Sequence, residues 1–197
     1  MVGNKKIRIH GLGASNHTNY RRAENDYYST DPSAITLLDK YNLLDKDKPY
    51  FETAVGVGGS LADELKRLGY NVTKTLDLID RGYKDTIITD FFKYNEKFKG
   101  NTITNPPYNK INDWILHTID ITEKRAYIFC RIQTLESYNR YNRIFKDNPP
   151  LYVCPFVKRI NCYRNDDRSF KQSTICYSWF IWDNTIDNEE TIIKWLI

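Results

Sequence analysis

Between Tyr50 and Leu78 the chain changes its hydrophobic period twice, and this restricts its fold more than any other feature. Tyr50 to Val55 is a short apolar run of strand type. Leu61 to Leu68 is amphipathic at helical spacing and stops at Gly69, and Tyr70 to Leu78 returns to strand character. The five residues Gly56-Val57-Gly58-Gly59-Ser60 join the first run to the helix. Strand, glycine turn, helix and strand form a β-loop-α-β unit, whose helix must cover one face of a sheet.

The alternation continues on both sides. Pro32 to Tyr41 reads as a helix opening after Ser29-Thr30-Asp31, with Ile35, Leu37 and Leu38 inward. Thr86 to Thr89 and Thr102 to Thr104 are short strands, Asn109 to Ile121 is a helix, and Ala126 to Ile132 is a buried strand. Leu135 to Phe145 reads as another helix. Leu151 to Ile160 and Ser173 to Trp182 read as an antiparallel pair joined by the polar loop Asn161 to Lys171. The expected fold is α/β, with a mostly parallel central sheet, helices on both faces and a C-terminal antiparallel hairpin. At 197 residues one core suffices: a mobile basic arm over residues 1–25 and a single domain over 26–197.

The formal charge of +4, from 29 basic and 25 acidic residues, is compatible with a nucleic-acid partner without requiring one. Cys130, Cys154, Cys162 and Cys176 are widely spaced, with no Cys-x-x-Cys pair, and read as reduced, mostly buried thiols. No apolar run approaches the ~18 residues of a membrane span, and the start Met1-Val2-Gly3-Asn4-Lys5 lacks the apolar core of a signal peptide. The expectation is a cytoplasmic protein with no membrane association, and no metal cluster is visible in the spacing of ligand-type residues.

Asn105-Pro106-Pro107-Tyr108 follows the apolar stretch Thr102-Ile103-Thr104. It combines a side-chain amide, a rigid diproline and an aromatic ring. The exocyclic amine of adenine is a poor nucleophile because its lone pair is delocalised into the ring. Acceptors that hold both N–H groups and favour a pyramidal nitrogen would activate it. The Asn105 side-chain oxygen and the Pro106 carbonyl can be those acceptors, and consecutive prolines keep the carbonyls out of any ladder or helix. Tyr108 would stack on the base, and a duplex would have to expose that base by flipping it out. The competing reading is a strand terminator. The second diproline, Asn148-Pro149-Pro150-Leu151, reads as that, since its fourth residue is aliphatic.

The glycine loop fails the G-x-G-x-x-G dinucleotide pattern, because Leu61 stands where a third glycine belongs, so NAD and FAD are poorly supported. Its glycines still permit a tight turn and close approach of a ligand to backbone amides at a helix start. Asp77, about 20 residues past the glycines at the end of the second strand, can accept hydrogen bonds from both hydroxyls of a ribose. An ordinary strand-helix connection is the alternative.

In chain order, Gly56-Val57-Gly58, Asp77, Asp90-Phe91 and Asn105-Pro106-Pro107-Tyr108 resemble the motifs of S-adenosylmethionine-dependent DNA adenine-N6 methyltransferases. The stretch Asp26-Tyr27-Tyr28-Ser29-Thr30-Asp31-Pro32-Ser33-Ala34-Ile35 is similar to the motif that precedes the glycine loop in those enzymes. From Ser15-Asn16-His17 to Lys194-Trp195 the chain resembles small methyltransferase-like proteins of phages and prophages, a setting that also includes restriction-modification. The resemblance implies a Rossmann-like class I methyltransferase fold with S-adenosylmethionine as cofactor. It implies that Tyr28, Thr30 and Pro32 wall the methionine end of the cofactor and that Glu52, Ala54, Gly56 and Gly58 surround its amino-acid part. Asp77 would hold the ribose, and Asp90 with Phe91 the adenine, beside Asn105. Asn105, Pro106, Pro107 and Tyr108 would grip the target base. Transfer in line from a sulfonium needs positioning, no metal and no covalent enzyme intermediate.

Only about a dozen residues separate Asp90-Phe91 from Asn105-Pro106-Pro107-Tyr108, too few for a large target-recognition segment between them, so DNA reading is expected to come from loops or a partner protein. Two basic clusters suit phosphate contacts. One holds Lys5, Lys6, Arg8, Arg21 and Arg22, and the other holds Lys158, Arg159, Arg164 and Arg168, diluted by Asp166-Asp167. Three readings follow: a DNA adenine-N6 methyltransferase; the same reaction on cytosine N4, RNA or a protein amide; and a non-catalytic binding or inhibitor module of the same fold. His117 reads as surface or packing, and Gln133 and Glu136 as residues with an open role near the cleft.

Overall fold

The computed structural model describes residues 28–164, 166–169 and 175–197. Among these residues ten strands and four α-helices follow in chain order: β1 (Tyr28–Thr30), α1 (Ser33–Lys40), β2 (Tyr50–Glu52), α2 (Ser60–Arg67), β3 (Val72–Asp77), β4 (Thr86–Ile88), β5 (Asn101–Thr104), α3 (Ile111–Ile121), β6 (Arg125–Arg131), α4 (Tyr138–Arg140), β7 (Tyr152–Pro155), β8 (Cys162–Arg164), β9 (Tyr177–Asp183) and β10 (Ile192–Ile193). Eight strands form one sheet in the order β10-β7-β9-β6-β5-β2-β3-β4. Only β9 runs against its neighbours; every other pairing in this sheet is parallel.

Alternation of side chains across the strands builds two layers. Tyr50, Ile103, Tyr127 and Phe129 face one side, where Ala34, Ile35 and Leu38 of α1 and Leu61 and Leu65 of α2 cover them. On the other side Ile115 of α3 packs on Ala126 and Ile128, while Trp114 and Ile121 of the same helix meet Phe51 and Leu76. Helices on both faces and a mostly parallel sheet are therefore what the sequence pattern predicted.

Local chemistry sets the helix ends. Asp31 Oδ1 accepts from the Ser33 N–H (2.9 Å) and hydroxyl (2.6 Å), which caps α1, and Pro32 tolerates the first turn because it has no N–H to leave unpaired. Gly69, at φ 85°, ends α2 in the left-handed conformation.

Three regions depart from the sequence expectation. Cys162–Arg164, read as part of a polar loop, is a strand that pairs antiparallel with Tyr28–Thr30 in a separate two-stranded sheet. Its partner lies 134 positions away between Ser29 and Tyr163, so no local pattern announces it. The helix expected over Leu135 to Phe145 is broken. A single turn covers Ile132–Leu135, Ser137 takes φ 119°, and α4 runs into a wide turn over Tyr141–Phe145. Arg140 explains this: its guanidinium donates to the carbonyls of Thr134 (2.8 Å) and Glu136 (2.6 Å) and to Asn112 Oδ1 (2.7 Å), drawing the segment into a loop against α3. The Pro149-Pro150 pair precedes β7 and ends no strand. Its carbonyls accept from Asn188 and Thr191.

Candidate functional site

Four neighbouring strands end at the same edge of the sheet, within about two residues of one another in register, and each delivers a polar side chain there. Glu52 closes β2, Asp77 closes β3, Asp90 lies two residues beyond β4, and Asn105 directly follows β5. The chain adds β3 and β4 outward from β2 and then returns to lay β5 on the other side of β2. Ligands in open α/β sheets bind beyond the carboxyl ends of the strands at such a reversal. A cleft of about 400 Å³ opens at this point. Tyr28, Thr30, Glu52, Ala54, Asp77, Asp90, Phe91, Asn105 and Pro107 line it. Pro32, Gly56, Gly58, Pro106 and Tyr108 do not.

The Asn105 amide is fixed from behind. Its nitrogen donates to the Tyr28 carbonyl (3.0 Å) and to Thr30 Oγ1 (2.8 Å), both on β1. A carbonyl can only accept, so the nitrogen must face β1 and the oxygen must face away. Asn105 Oδ1 accepts from the Tyr108 hydroxyl at 2.7 Å and keeps a second lone pair. Desolvation pushes the Tyr108 hydroxyl well above the ordinary tyrosine value, so it stays a donor. The Tyr108 ring lies nearly parallel to Tyr177 at 6.2 Å, with the Arg131 guanidinium carbon 5.1 Å from its centroid.

The glycine turn is conformationally constrained. Gly56 adopts φ 69° and ψ −171°, a region open essentially to glycine alone, and its N–H donates to Asp77 Oδ2 at 2.8 Å. Gly59 is left-handed at φ 51°, and a Cβ there would run into the Tyr83 ring. Asp77 Oδ1 also accepts from the Ile79 N–H (3.3 Å) and pairs with Arg81 (3.4 Å).

Glu52 is 1 % exposed and accepts from the Ala62 N–H at 2.8 Å, satisfying one of the unpaired amides at the start of α2. Burial raises its carboxyl well above the ordinary value. The Asp63 and Asp77 carboxylates add to this, while the Ala62 N–H and Lys66 oppose it. A cationic group entering the cleft would reverse that cost by pairing with the carboxylate.

Phe91 is buried and stacks on Trp114 at 4.1 Å and 17°. His117 Nε2 lies 3.0 Å and 2.8 Å from the Phe91 and Tyr94 carbonyls, two acceptors, and so carries its hydrogen there as a packing strut. Gln133 and Glu136 are exposed and do not line the cleft. The sequence reading missed several cleft residues, including Ser60 and Leu61 of α2, Leu78, Arg81, Phe92, Asn109, Lys110 and Trp114. Ser60, Leu78, Phe92 and Asn109 were within reach as near neighbours of the motif residues. Nothing in the helical pattern of α3 marks Trp114 as a lining residue.

Of the basic clusters, Lys5, Lys6, Arg8, Arg21, Arg22 and the Arg164 side chain lie outside the described residues. Lys158 and Arg159 are exposed between β7 and β8. Arg168 pairs with Asp166 at 3.3 Å, and Asp166 accepts from Ser29 of β1 at 2.7 Å, so this cluster rests on the strand that holds Asn105. Cys130 and Cys154 are buried, Cys162 half-buried and Cys176 exposed, all as free thiols. Among the described residues no three ligand-type side chains gather as a metal site, and no helix is long and apolar enough to cross a membrane.

No protein-family model and no curated protein matches the chain. Solved structures do. The chain is similar to a dimethyladenosine transferase from Plasmodium falciparum, with TM-score 0.53 and 15% identity over 79% of this chain and 62% of that one. It is also similar to a predicted O-methyltransferase from Agrobacterium tumefaciens, with TM-score 0.54 and 11% identity over 84% of both chains. A third match, from Vibrio vulnificus, is a protein assigned as the modification subunit of a type I restriction enzyme, with TM-score 0.50 and 10% identity over 78% of this chain and 43% of that one. The chain thus spans less than two thirds of the first and third of these proteins. At such identities the likeness is one of fold, and the fold is that of the class I methyltransferases.

Proposed function

We propose that this chain is an S-adenosylmethionine-dependent methyltransferase whose acceptor is the exocyclic N6 of adenine in DNA. The observation that carries the reading is the Asn105 amide, tied by its nitrogen to β1 so that its oxygen is presented beside the cleft.

The cleft fits the cofactor by its donor set. Glu52 would pair with the α-ammonium group, Asp77 would accept from the ribose hydroxyls, and Asp90 with Phe91 would border the adenine. The Gly56 conformation keeps side chains out of the turn between them. When bound, the cofactor supplies an electrophilic methyl group on a positively charged sulfur that leaves as a neutral thioether.

The chain's own residues then prepare the acceptor. Asn105 Oδ1, with the lone pair that Tyr108 leaves open, takes one N–H of the amine, and the Pro106 carbonyl takes the other. Both contacts draw the nitrogen toward a pyramidal geometry and return its lone pair for bond formation. In accepting the methyl group the amine would use that lone pair for its new N–C bond and would release its surplus proton to water. Tyr108 remains protonated throughout and serves by orienting Asn105.

DNA is favoured as the polymer by the exposed Lys158 and Arg159 and by the basic residues near the start of the chain. The fold likeness to a dimethyladenosine transferase and to a modification subunit is consistent with an adenine acceptor. The test is transfer of labelled methyl to unmethylated duplex DNA in competition with RNA and protein, beside Asn105→Ala, followed by nucleoside analysis. N6-methyladenine that disappears in the variant is the expected result. Label on cytosine, RNA or protein would move the acceptor, and no transfer together with no calorimetric binding of the cofactor would overturn the reading.

A further inference from the structure

Arg131 ends β6 one strand away from the Asn105 loop. Thr104 is in register with Ile128, three residues before Arg131, and the chain leaves the ladder after Thr104. Its Nε is buried and has no hydrogen-bond partner among the described residues. Its recorded neighbour is the Tyr108 ring, 5.1 Å from the guanidinium carbon. The titratable groups that its charge reaches are Tyr108, Cys162 and Tyr177, which burial keeps protonated and neutral. A guanidinium is always charged and donates only, and a buried donor without an acceptor is costly enough that folded proteins seldom keep one. The group whose chemistry suits this donor is an anion.

Resting on the DNA-methyltransferase reading, we propose that Arg131 binds a backbone phosphate of the target strand beside the flipped adenine. The planar fork of a guanidinium presents two parallel N–H groups, which match two phosphate oxygens. Adenine offers only single ring nitrogens once its amine is held by Asn105. A phosphate contact beside Tyr108 would fix the register of the nucleotide whose base reaches Asn105 without reading sequence.

The test uses the full chain and a duplex containing an adenine that the wild type methylates. The phosphates around that adenine are replaced one at a time by uncharged methylphosphonates, and kcat/KM for DNA is measured for wild type, Arg131→Gln and Arg131→Lys. The wild type should lose about 10- to 100-fold at one linkage. Arg131→Gln should show that loss already on unmodified DNA and none further at that linkage, with cofactor affinity unchanged. Arg131→Lys should fall between them.

A wild type insensitive at every linkage would overturn the proposal, as would an Arg131→Gln variant whose linkage profile matches the wild type. If Arg131→Gln fails to fold, the wild-type scan and Arg131→Lys still decide the question. Failure of the underlying reading looks different: the wild type would methylate no DNA at all, which overturns both.

Discussion

Thr30 Oγ1 accepts a hydrogen bond of 2.8 Å from the Asn105 side-chain nitrogen, joining β1 to the loop after β5 across 75 residues of chain. With the Tyr28 carbonyl it decides which atom of the amide faces away from β1.

Thr30→Val, which keeps the shape and removes the acceptor, should lower kcat for methyl transfer up to about tenfold, the weight of one neutral hydrogen bond. Thr30→Ser should restore most of it. Saturating cofactor and acceptor separate this from a binding defect, and equal kcat in all three proteins would show that the contact does not position Asn105.

Asn105→Asp is the sharper substitution, because it keeps the size and loses both N–H donors. Its oxygens would face the Tyr28 carbonyl and Thr30 Oγ1, so the side chain should turn and methyl transfer should fall by about 100-fold or more, as when a preorganised polar contact is lost. Binding of the cofactor, measured by calorimetry, should change much less.

Glu52 sets a pH dependence. Its folded-state carboxyl is raised by burial, so the folded protein holds this proton more tightly than the unfolded chain. The charge therefore costs nothing below the ordinary glutamate value and costs progressively more as pH rises from there through the elevated folded value, above which the loss stays constant. Glu52→Gln should be the more thermally stable protein at neutral pH, with the advantage vanishing toward pH 4. The same substitution should weaken cofactor binding, since it removes the partner for an ammonium group. Calorimetry in buffers of different ionisation enthalpy should show proton release when the cofactor binds to the wild type at pH values below the raised one.

The glycine turn offers a paired test. Gly56→Ala should destabilise by about 1–3 kcal/mol, because φ 69° with ψ −171° excludes a Cβ. Gly58→Ala should be milder, about 1–2 kcal/mol, since φ 70° with ψ 3° is ordinary left-handed backbone and a Cβ there meets nothing within 4 Å. Denaturant midpoints measure both, and the order of the two losses is the prediction.

What was legible in the sequence was local. The β-loop-α-β unit between Tyr50 and Leu78 could be read because helical and strand periods depend on neighbours a few residues apart, and the turn could be read because Gly56, Gly58 and Gly59 all require positive φ. The spacing from the glycines to Asp77, and the order of Asp77, Asp90 and Asn105, placed these side chains at successive strand ends, where the cleft gathers them. The C-terminal strands were legible in type but only partly in arrangement. β7 and β9 pair antiparallel as expected, yet β9 lies between β6 and β7, and β10 extends the sheet beyond β7.

The sequence by itself determined the layer architecture and the residue types at the ends of β2, β3 and β5, because periodicity, glycine stereochemistry and proline geometry act within a few residues. Only the tertiary structure decided that Cys162–Arg164 would become a strand on Tyr28–Thr30, that this strand pair would turn the Asn105 amide, and that Arg131 would stand beside Tyr108 with its Nε unpaired among the described residues. Each of these depends on a hydrogen bond or ring contact between residues far apart in the chain. Such contacts form where folding brings the groups together, and residue spacing carries no record of them.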